Sequence, residues 1–332
     1  MKKIICLLIV GLLICSLLTA CGKQDNQNNA TTKATETYTD FSTAKSDVAE
    51  QTSEAVTDSN AFVDEWQTEQ TEQAEQTDES VIKKNHGSAG YVEGTTLIVS
   101  IFASESGTDW DFSTDEDCAT RDLMLDNMKV ATSWLTRQIG TYGAEANFIY
   151  DWKENPDLYY AYDFGDLYLV RKDSGGYWMQ EEYLLENIPS EALMKKYQAQ
   201  NIIYMFYFNT DESNTISSWT LSDRHKVETE IINVFVRNNR SDGLCCITAS
   251  TLAHEIMHCF GAYDLYYASE TISQAYVDYC KDMISTDIMY TTNRLLSIDY
   301  LEFSRLDAYY LGLVDSCDEV TKWGLGKSTF SE

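Results

Sequence analysis

The stretch LAHEIMHCFGAYDLYY, residues 252–267, places two of the chain's four histidines four positions apart, with a glutamate directly after the first. Residues four apart in a helix lie about 40° apart around its axis and one turn along it. The side chains of His254 and His258 can therefore meet at one point, and Glu255 lies beside that point. The stretch predicts a helix that directs two imidazoles and a carboxylate to one place.

Histidines at this spacing, with an adjacent glutamate, are typical of a catalytic zinc site. Such a site has three protein ligands and a fourth position for water, and the glutamate takes the proton of that water. We therefore predict that His254 and His258 bind Zn2+ and that Glu255 is the general base. The simpler alternative is a surface helix with two solvated histidines.

The residues after the second histidine supply a candidate third ligand. Gly261 stands where a helix often ends on a left-handed residue without a Cβ atom. The chain can then reverse beneath the helix and return Asp264 to the metal. Three later carboxylates remain possible third ligands in its place: Glu270, Asp278 and Asp282.

The string from His254 to Asp264, HEIMHCFGAYD, resembles the extended signature of the metzincin zinc peptidases. The usual third histidine of that signature is replaced here by aspartate, as in the snapalysin-like members. The same segment is similar to that of the secreted immune inhibitor A-type peptidases, and so is FSRLDAYYLGLVD at residues 303–315. The resemblance covers roughly residues 248–315, and it implies zinc-dependent hydrolysis of peptide bonds.

A second motif, STDIMY at residues 285–290, resembles the Met-turn of the metzincins. In that family a methionine forms an apolar floor below the metal without binding it, and Met289 would be that residue. Many members have a tyrosine two positions after the methionine, but Thr291 occupies that position here and Tyr290 comes directly after Met289. The resemblance therefore leaves the role of Tyr290 open.

The N-terminus has the pattern of a bacterial export signal. Lys2 and Lys3 precede an apolar run that is too short to be a typical membrane-spanning helix, and LTAC at residues 18–21 resembles a lipobox. We predict that residues 1–20 are a lipoprotein signal peptide and that Cys21 is lipidated. The protein would then be anchored to the bacterial cell membrane on its extracytoplasmic side.

Residues 21–90 are predicted to form a disordered acidic tether rich in Thr, Gln and Glu. Between residues 22 and 90 there are 5 Lys or Arg residues against 14 Asp or Glu residues, and no sustained apolar period. Such a composition cannot bury enough apolar surface to offset the chain entropy lost on folding.

Residues 91–332 are predicted to form one zinc metallopeptidase domain of the α/β (α+β) class. Runs of β-branched and aromatic residues predict strands at 95–103, 145–152, 201–209 and 230–238. Apolar residues at helical spacing and capping signals predict helices at 120–140, 248–260 and 299–313. The resemblance implies a zincin-like mixed twisted sheet with an active-site helix, followed by a smaller, mostly helical or irregular C-terminal subdomain.

Other candidate sites are weaker. DWDFSTDEDC, residues 109–118, alternates acidic residues like a calcium-binding loop, but it lacks the glycine and the final glutamate of such loops. We expect a solvated acidic loop there, His225 on the surface, and His86 in or beside the tether. Six cysteines follow the leader and could pair or stay free; Cys259 is predicted to belong to the core.

Composition limits the partners. The formal net charge of −29 argues against nucleic acid, whose affinity for proteins comes mainly from Lys and Arg. We expect a monomer that acts on a protein or peptide substrate. The second hypothesis is a non-catalytic surface lipoprotein that keeps the same fold to bind a partner or a metal, and Glu255 disfavours it because a pure binding site has no use for a base.

Overall fold

A computed structural model describes residues 84–105, 107–165, 177–211, 217–222, 230–237, 246–292 and 297–327. The predicted signal peptide, the predicted lipidation residue Cys21, the predicted tether up to residue 83 and His225 lie outside the described residues. No helix in the described ranges combines the length and the apolar character needed to cross a membrane.

The centre of the molecule is a mixed β-sheet. Its strands are β1 (Gly94–Ser104), β2 (Ala146–Ile149), β3 (Tyr159–Asp163), β4 (Asn201–Phe208), β5 (Trp219–Ser222) and β6 (Glu230–Phe235). Their order is β2-β1-β4-β6-β5, and β3 pairs with β1 on the same side as β2, further along the strand. All neighbours are parallel except β5, which runs antiparallel to β6. The fold is therefore α+β with a mixed sheet, as predicted.

Helices cover both faces of this sheet. They are α1 (Asp115–Gly140), α2 (Tyr177–Asn187), α3 (Ser190–Tyr197), α4 (Ala249–Cys259), α5 (Gln274–Met283), α6 (Arg305–Tyr310) and α7 (Asp318–Trp323), with short 3-10 helices at Pro156–Leu158 and Ile298–Tyr300. Because side chains alternate along a strand, Ile98 and Phe102 pack with α1 and α4 on one face. Leu97 and Val99 pack with α2 and α3 on the other. A strand covered on both faces needs a continuous apolar sequence, which is why β1 and β4 could be recognised from the sequence.

The longer predicted elements agree with the structure to within a few residues, with two exceptions. Helix α1 begins five residues earlier than predicted, because the Thr114 side chain accepts a hydrogen bond from Asp117 N and caps it. The predicted helix at 299–313 is wrong. A 3-10 turn ends at Tyr300 and α6 starts only at Arg305, because Ser304 and Asp307 form a capping box that starts a new helix.

Residues 84–90, which we call the N-terminal strap, belong to the folded domain rather than to the predicted tether. Asn85 is buried and its Nδ2 donates to Tyr309 O at 2.9 Å, while Ala89 N donates to Cys259 O at 3.0 Å. A Cβ atom on Gly87 would lie 2.1 Å from Cys259 O, so the strap packs directly against the end of α4. The predicted domain boundary at residue 91 is therefore too late.

Candidate metal centre

Helix α4 fixes the two histidines and the glutamate. It begins at Ala249, directly after Thr248, and every residue from Ala249 to Met257 is buried. The helix packs against α1 and β5. His254 and Glu255 are each only 4% exposed, whereas His258 is half-buried. These side chains are therefore held by a packed core helix, and the alternative of a surface helix with two solvated histidines is wrong.

Gly261 reverses the chain after α4. Its φ is +103°, a left-handed conformation that a residue with a Cβ atom adopts only with strain. Ala262 N donates to Met257 O at 3.1 Å, which satisfies one of the last carbonyls of the helix. The chain then turns back beneath the helix and returns Asp264 to the two histidines, as predicted.

Three ligand atoms form a small triangle. Nε2 of His254 lies 3.0 Å from Oδ1 of Asp264, and Nε2 of His258 lies 3.3 Å from the same oxygen. The two Nε2 atoms are 3.1 Å apart. Zinc bonds to nitrogen and oxygen are about 2.0–2.2 Å long, so two ligands of a tetrahedral zinc are roughly 3.3 Å apart. The triangle fits three corners of such a tetrahedron.

The hydrogen bonds of the two imidazoles fix which nitrogen faces the triangle. His254 Nδ1 donates to Ile288 O at 2.9 Å, and His258 Nδ1 donates to Ala262 O at 2.8 Å. A carbonyl oxygen can only accept, so in each neutral ring the Nε2 atom carries a lone pair. Two nitrogen lone pairs and a carboxylate oxygen therefore converge, which is the donor set of a transition metal.

Protons and a metal compete for this position. Burial disfavours charge on His258, but the hydrogen bond and the charge of Asp264 raise the pKa of His258 to about 9. Burial acts to raise the pKa of Asp264, but the hydrogen bonds from His254 and His258 hold it far below its usual value. The carboxylate is thus ionised at neutral pH, and the site strongly attracts positive charge.

Glu255 is oriented by a residue that the sequence analysis missed. Thr220 Oγ1 lies 2.8 Å from Oε2 of Glu255 and 3.0 Å from its main-chain oxygen. Thr220 is on β5, and β5 packs against α4. The hydroxyl can donate its proton to the carboxylate, and this contact holds the side chain of the predicted base in one orientation.

Tyr266 is a second residue that the sequence analysis did not identify. Its side chain hydrogen-bonds to Asp264, and its ring lies 6.3 Å from that of His254 and nearly parallel to it. The residue is 52% exposed, so the phenol reaches into the site from its open side. Partial burial and the carboxylates of Asp264 and Glu255 raise the pKa of Tyr266, which keeps its hydroxyl protonated at neutral pH.

Met289 lies in a turn, residues 285–290, that is buried at residues 287–289 and hydrogen-bonds to both segments that carry the candidate ligands. Met289 itself is 0% exposed. The carbonyl of Ile288 accepts the hydrogen bond from His254, and that of Met289 accepts from Leu265 N at 2.9 Å, next to Asp264. Tyr290 is half-buried in the same turn, and its main-chain N donates to Asp287 O at 3.0 Å.

The other predicted candidates do not join the centre. Among the described residues, the one group of His, Cys, Asp and Glu side chains arranged to hold a metal is His254, His258 and Asp264. The alternative ligands lie outside it: Glu270, Asp278 and Asp282. In the acidic loop the carboxylate of Asp111 accepts hydrogen bonds from Ser113, and the carboxylate of Asp117 accepts one from Asp111 N. Both carboxylates therefore stabilise the loop that leads into α1.

The structure also describes the positions of His86 and of several cysteines. His86 lies half-buried in the N-terminal strap. Cys259 is fully buried in the core, as predicted. Four of the described cysteines are free thiols: Cys118, Cys259, Cys280 and Cys317.

Comparison of the sequence with models of known protein families and with curated proteins gives no match. The functional proposal for this chain therefore depends on its own residues and their geometry.

Proposed function

We propose that this protein is a zinc-dependent endopeptidase of the metzincin type. The proposal depends above all on the triangle of His254 Nε2, His258 Nε2 and Asp264 Oδ1, whose edges of 3.0–3.3 Å suit zinc. Glu255 adjoins this triangle on the same helix. A structural zinc site has four protein ligands, whereas three ligands and a base suit catalysis.

The residues of the chain divide the work of peptide hydrolysis between them. Zinc in such a site supplies Lewis acidity, which acidifies water and polarises a carbonyl group. Glu255 takes the proton of the attacking water and delivers it to the leaving amine. Thr220 holds the carboxylate of Glu255 in place during both transfers, and the protonated Tyr266 can donate to the developing oxyanion.

Strand β5 is suited to align an extended peptide. It is the outermost strand beyond β6 in the described sheet, and it runs antiparallel to its neighbour. A peptide in extended conformation can add to such an edge through main-chain hydrogen bonds, with little dependence on its side chains. Since Thr220 on β5 touches Glu255, a peptide bound along this strand would have its scissile bond next to the base.

We further propose that the enzyme acts outside the cytoplasm as a lipid-anchored monomer. The support comes from the apolar leader, the lipobox-like LTAC at residues 18–21 and the acidic segment that follows. The substrate would be a protein or peptide within reach of that anchor.

The test is Glu255→Gln in the full chain, with Glu270→Gln on the exposed surface as the matched control. Glutamine keeps the size of glutamate and removes the base. Zinc should stay near one per chain, while cleavage of a mixed peptide library should fall by about 10² to 10⁴, the usual contribution of a positioned base. A wild-type chain that binds zinc but cleaves no peptide would favour the binding lipoprotein instead. Full activity in Glu255→Gln would refute the mechanism.

A further inference from the structure

Two carboxyl groups are buried together beneath the turn at residues 285–290. Asp287 is 0% exposed and Asp307, on α6, is 1% exposed. The two side chains hydrogen-bond to each other. Oδ1 of Asp287 accepts from Met289 N at 2.7 Å, and Oδ2 of Asp307 accepts from Ser304 N at 2.9 Å. Both carboxyl groups are thus held in place by main-chain donors.

Among the described residues, the titratable side chains that interact with the pair carry no positive charge. They are Tyr276 and Cys280 from α5, Tyr142 after α1, and Tyr310 on α6. Each of these is neutral or anionic. The Ser304 side chain also hydrogen-bonds to Asp287, whose Oδ2 atom is buried. Two carboxylates at hydrogen-bonding distance repel, whereas one proton between them satisfies both.

The residues that follow Asp287 support the metal ligands. Ile288 O accepts from Nδ1 of His254, and Met289 O accepts from the main-chain N of Leu265, the neighbour of Asp264. The hydrogen bond from Met289 N to Asp287 closes this turn from within. Displacement of the Asp287 side chain would therefore shift the acceptors of two ligand-bearing segments at once.

We propose that Asp287 and Asp307 are positioning residues that share one proton, and that this proton holds the turn at residues 285–290 in the geometry required by the metal centre. Loss of the proton at alkaline pH places two negative charges in the core and loosens the turn. The proposal depends on the proposed function only in taking His254, His258 and Asp264 as metal ligands.

The direction of the pH effect follows from burial. Burial raises the pKa of Asp287 to about 6 and raises that of Asp307 well above its usual range. The pair therefore holds more protons in the folded chain than in the unfolded chain from about pH 4 upward. The free energy of unfolding falls as the pH rises through this window, until the pair has lost its proton.

The experiment compares the full wild-type chain with Asp287→Asn, Asp307→Asn and the exposed control Asp315→Asn. An asparagine amide donates to the remaining carboxylate at every pH, so it replaces the shared proton. The melting temperature of the metal-free chain and its affinity for Zn2+ are measured from pH 5 to 9, and Co2+ spectra report the ligand geometry. Between pH 6 and 8, the change in Zn2+ affinity should be roughly tenfold less favourable in the wild type and the control than in either pair variant.

Each result decides the question. Protonation of the ligand histidines affects all four proteins alike, so the comparison isolates the pair. Equal pH dependence of melting in the wild type and both pair variants would show that no proton is shared. A difference in melting without any difference in Co2+ spectra or Zn2+ affinity would mean that the pair stabilises the fold but positions no ligand. Failure of both pair variants to fold would also overturn the proposal, since the amide should replace the hydrogen bond between the two side chains. If zinc does not bind at all, the melting comparison still tests the shared proton.

Discussion

Asp264 gives the proposed metal centre its negative charge. With Zn2+ and two neutral imidazoles, the carboxylate leaves the cluster at a net charge of +1, whereas a third histidine would leave +2. Oδ1 of Asp264 is also the atom that makes the contacts with both His254 Nε2 and His258 Nε2. Much of the attraction of the site for a cation therefore depends on this one residue.

Replacement of Asp264 by alanine should remove zinc and activity together. We expect affinity for Zn2+ to fall by more than about 100-fold, beyond the 10–100-fold typical of losing an outer hydrogen bond. The measurements are zinc per chain after dialysis against a weak chelator and peptide cleavage on the same sample. Glu270→Ala serves as the control and should keep both. If Glu270→Ala loses zinc and activity while Asp264→Ala keeps both, Glu270 is the third ligand.

Thr220 should affect the rate of reaction rather than substrate binding. In Thr220→Val the Glu255 carboxylate loses its donor, and because a hydrogen bond to a charged group contributes about 1.5–3 kcal/mol we expect kcat to fall on the order of tenfold or more. KM and zinc content should stay near the wild-type values. Thr220→Ser keeps the hydroxyl and should restore most of kcat. Equal activity in the valine and serine variants would show that this contact does not orient the base.

The cluster of candidate ligands could be predicted from the sequence because its members are local. His254, Glu255 and His258 lie on one helix, and Gly261 places Asp264 a few residues later, so spacing alone carries the information. Thr220 could not be found in this way. It reaches Glu255 only because β5 pairs antiparallel with β6 and packs against α4, and no spacing along the chain encodes that contact.

Among the structural elements, the turn after α4 has a strict backbone requirement. Gly261 has a φ of +103°, and a Cβ atom there would lie 3.1 Å from Gly87 N in the N-terminal strap. Gly140, by contrast, ends α1 with nothing within 4 Å of an added Cβ. Alanine substitutions at these two positions therefore separate the effect of the strained turn from the general effect of replacing a glycine.

Gly261→Ala should destabilise the chain and weaken zinc binding. We expect a loss of about 1–3 kcal/mol in the free energy of unfolding, from the positive φ and the close approach of the strap. Gly140→Ala should instead be neutral or stabilising by up to about 1 kcal/mol, since alanine favours the helix. Urea unfolding followed by circular dichroism measures both. A Gly261→Ala variant as stable as Gly140→Ala would contradict the account of the turn.

The accuracy of element prediction depended on burial. Strands β1, β4 and β6 and helix α4 were located because deep burial imposes long apolar runs. The short strands β3 and β5 have no such run, and they were missed. The helix predicted at 299–313 failed because periodicity does not register a local capping box, in which Ser304 and Asp307 bind each other's main-chain N–H groups. The shared burial of Asp287 and Asp307 could not be predicted either, since the two residues are 20 positions apart with a 3-10 helix between them.

For the whole molecule, the tether and the domain should be separable. Deletion of residues 30–80 removes the acidic segment and leaves the N-terminal strap intact. We expect the melting temperature and zinc content to be unchanged, because the composition of that segment predicts no packed core. Deletion of residues 84–90 is the contrasting variant and should lower the melting temperature, since it removes buried Asn85. A large effect of the first deletion would show that the acidic segment packs on the domain.

Attachment is tested at Cys21. Because lipidation requires the cysteine of the lipobox, Cys21→Ser should release the protein into the medium or leave its leader uncleaved. Cell fractionation and N-terminal sequencing measure the two outcomes. Wild-type membrane retention with a normally processed N-terminus would refute the lipoprotein prediction.

The N-terminal strap also determines where mechanical tension would enter the domain. If the chain is tethered to a membrane through Cys21, any pull on the anchor reaches the described part of the molecule at residue 84. The strap there is packed against Cys259 and Gly261, one and three residues after His258. A stretching force would thus be applied beside a proposed zinc ligand. In such an anchored enzyme, tension on the anchor would act directly on the segment that shapes the metal centre.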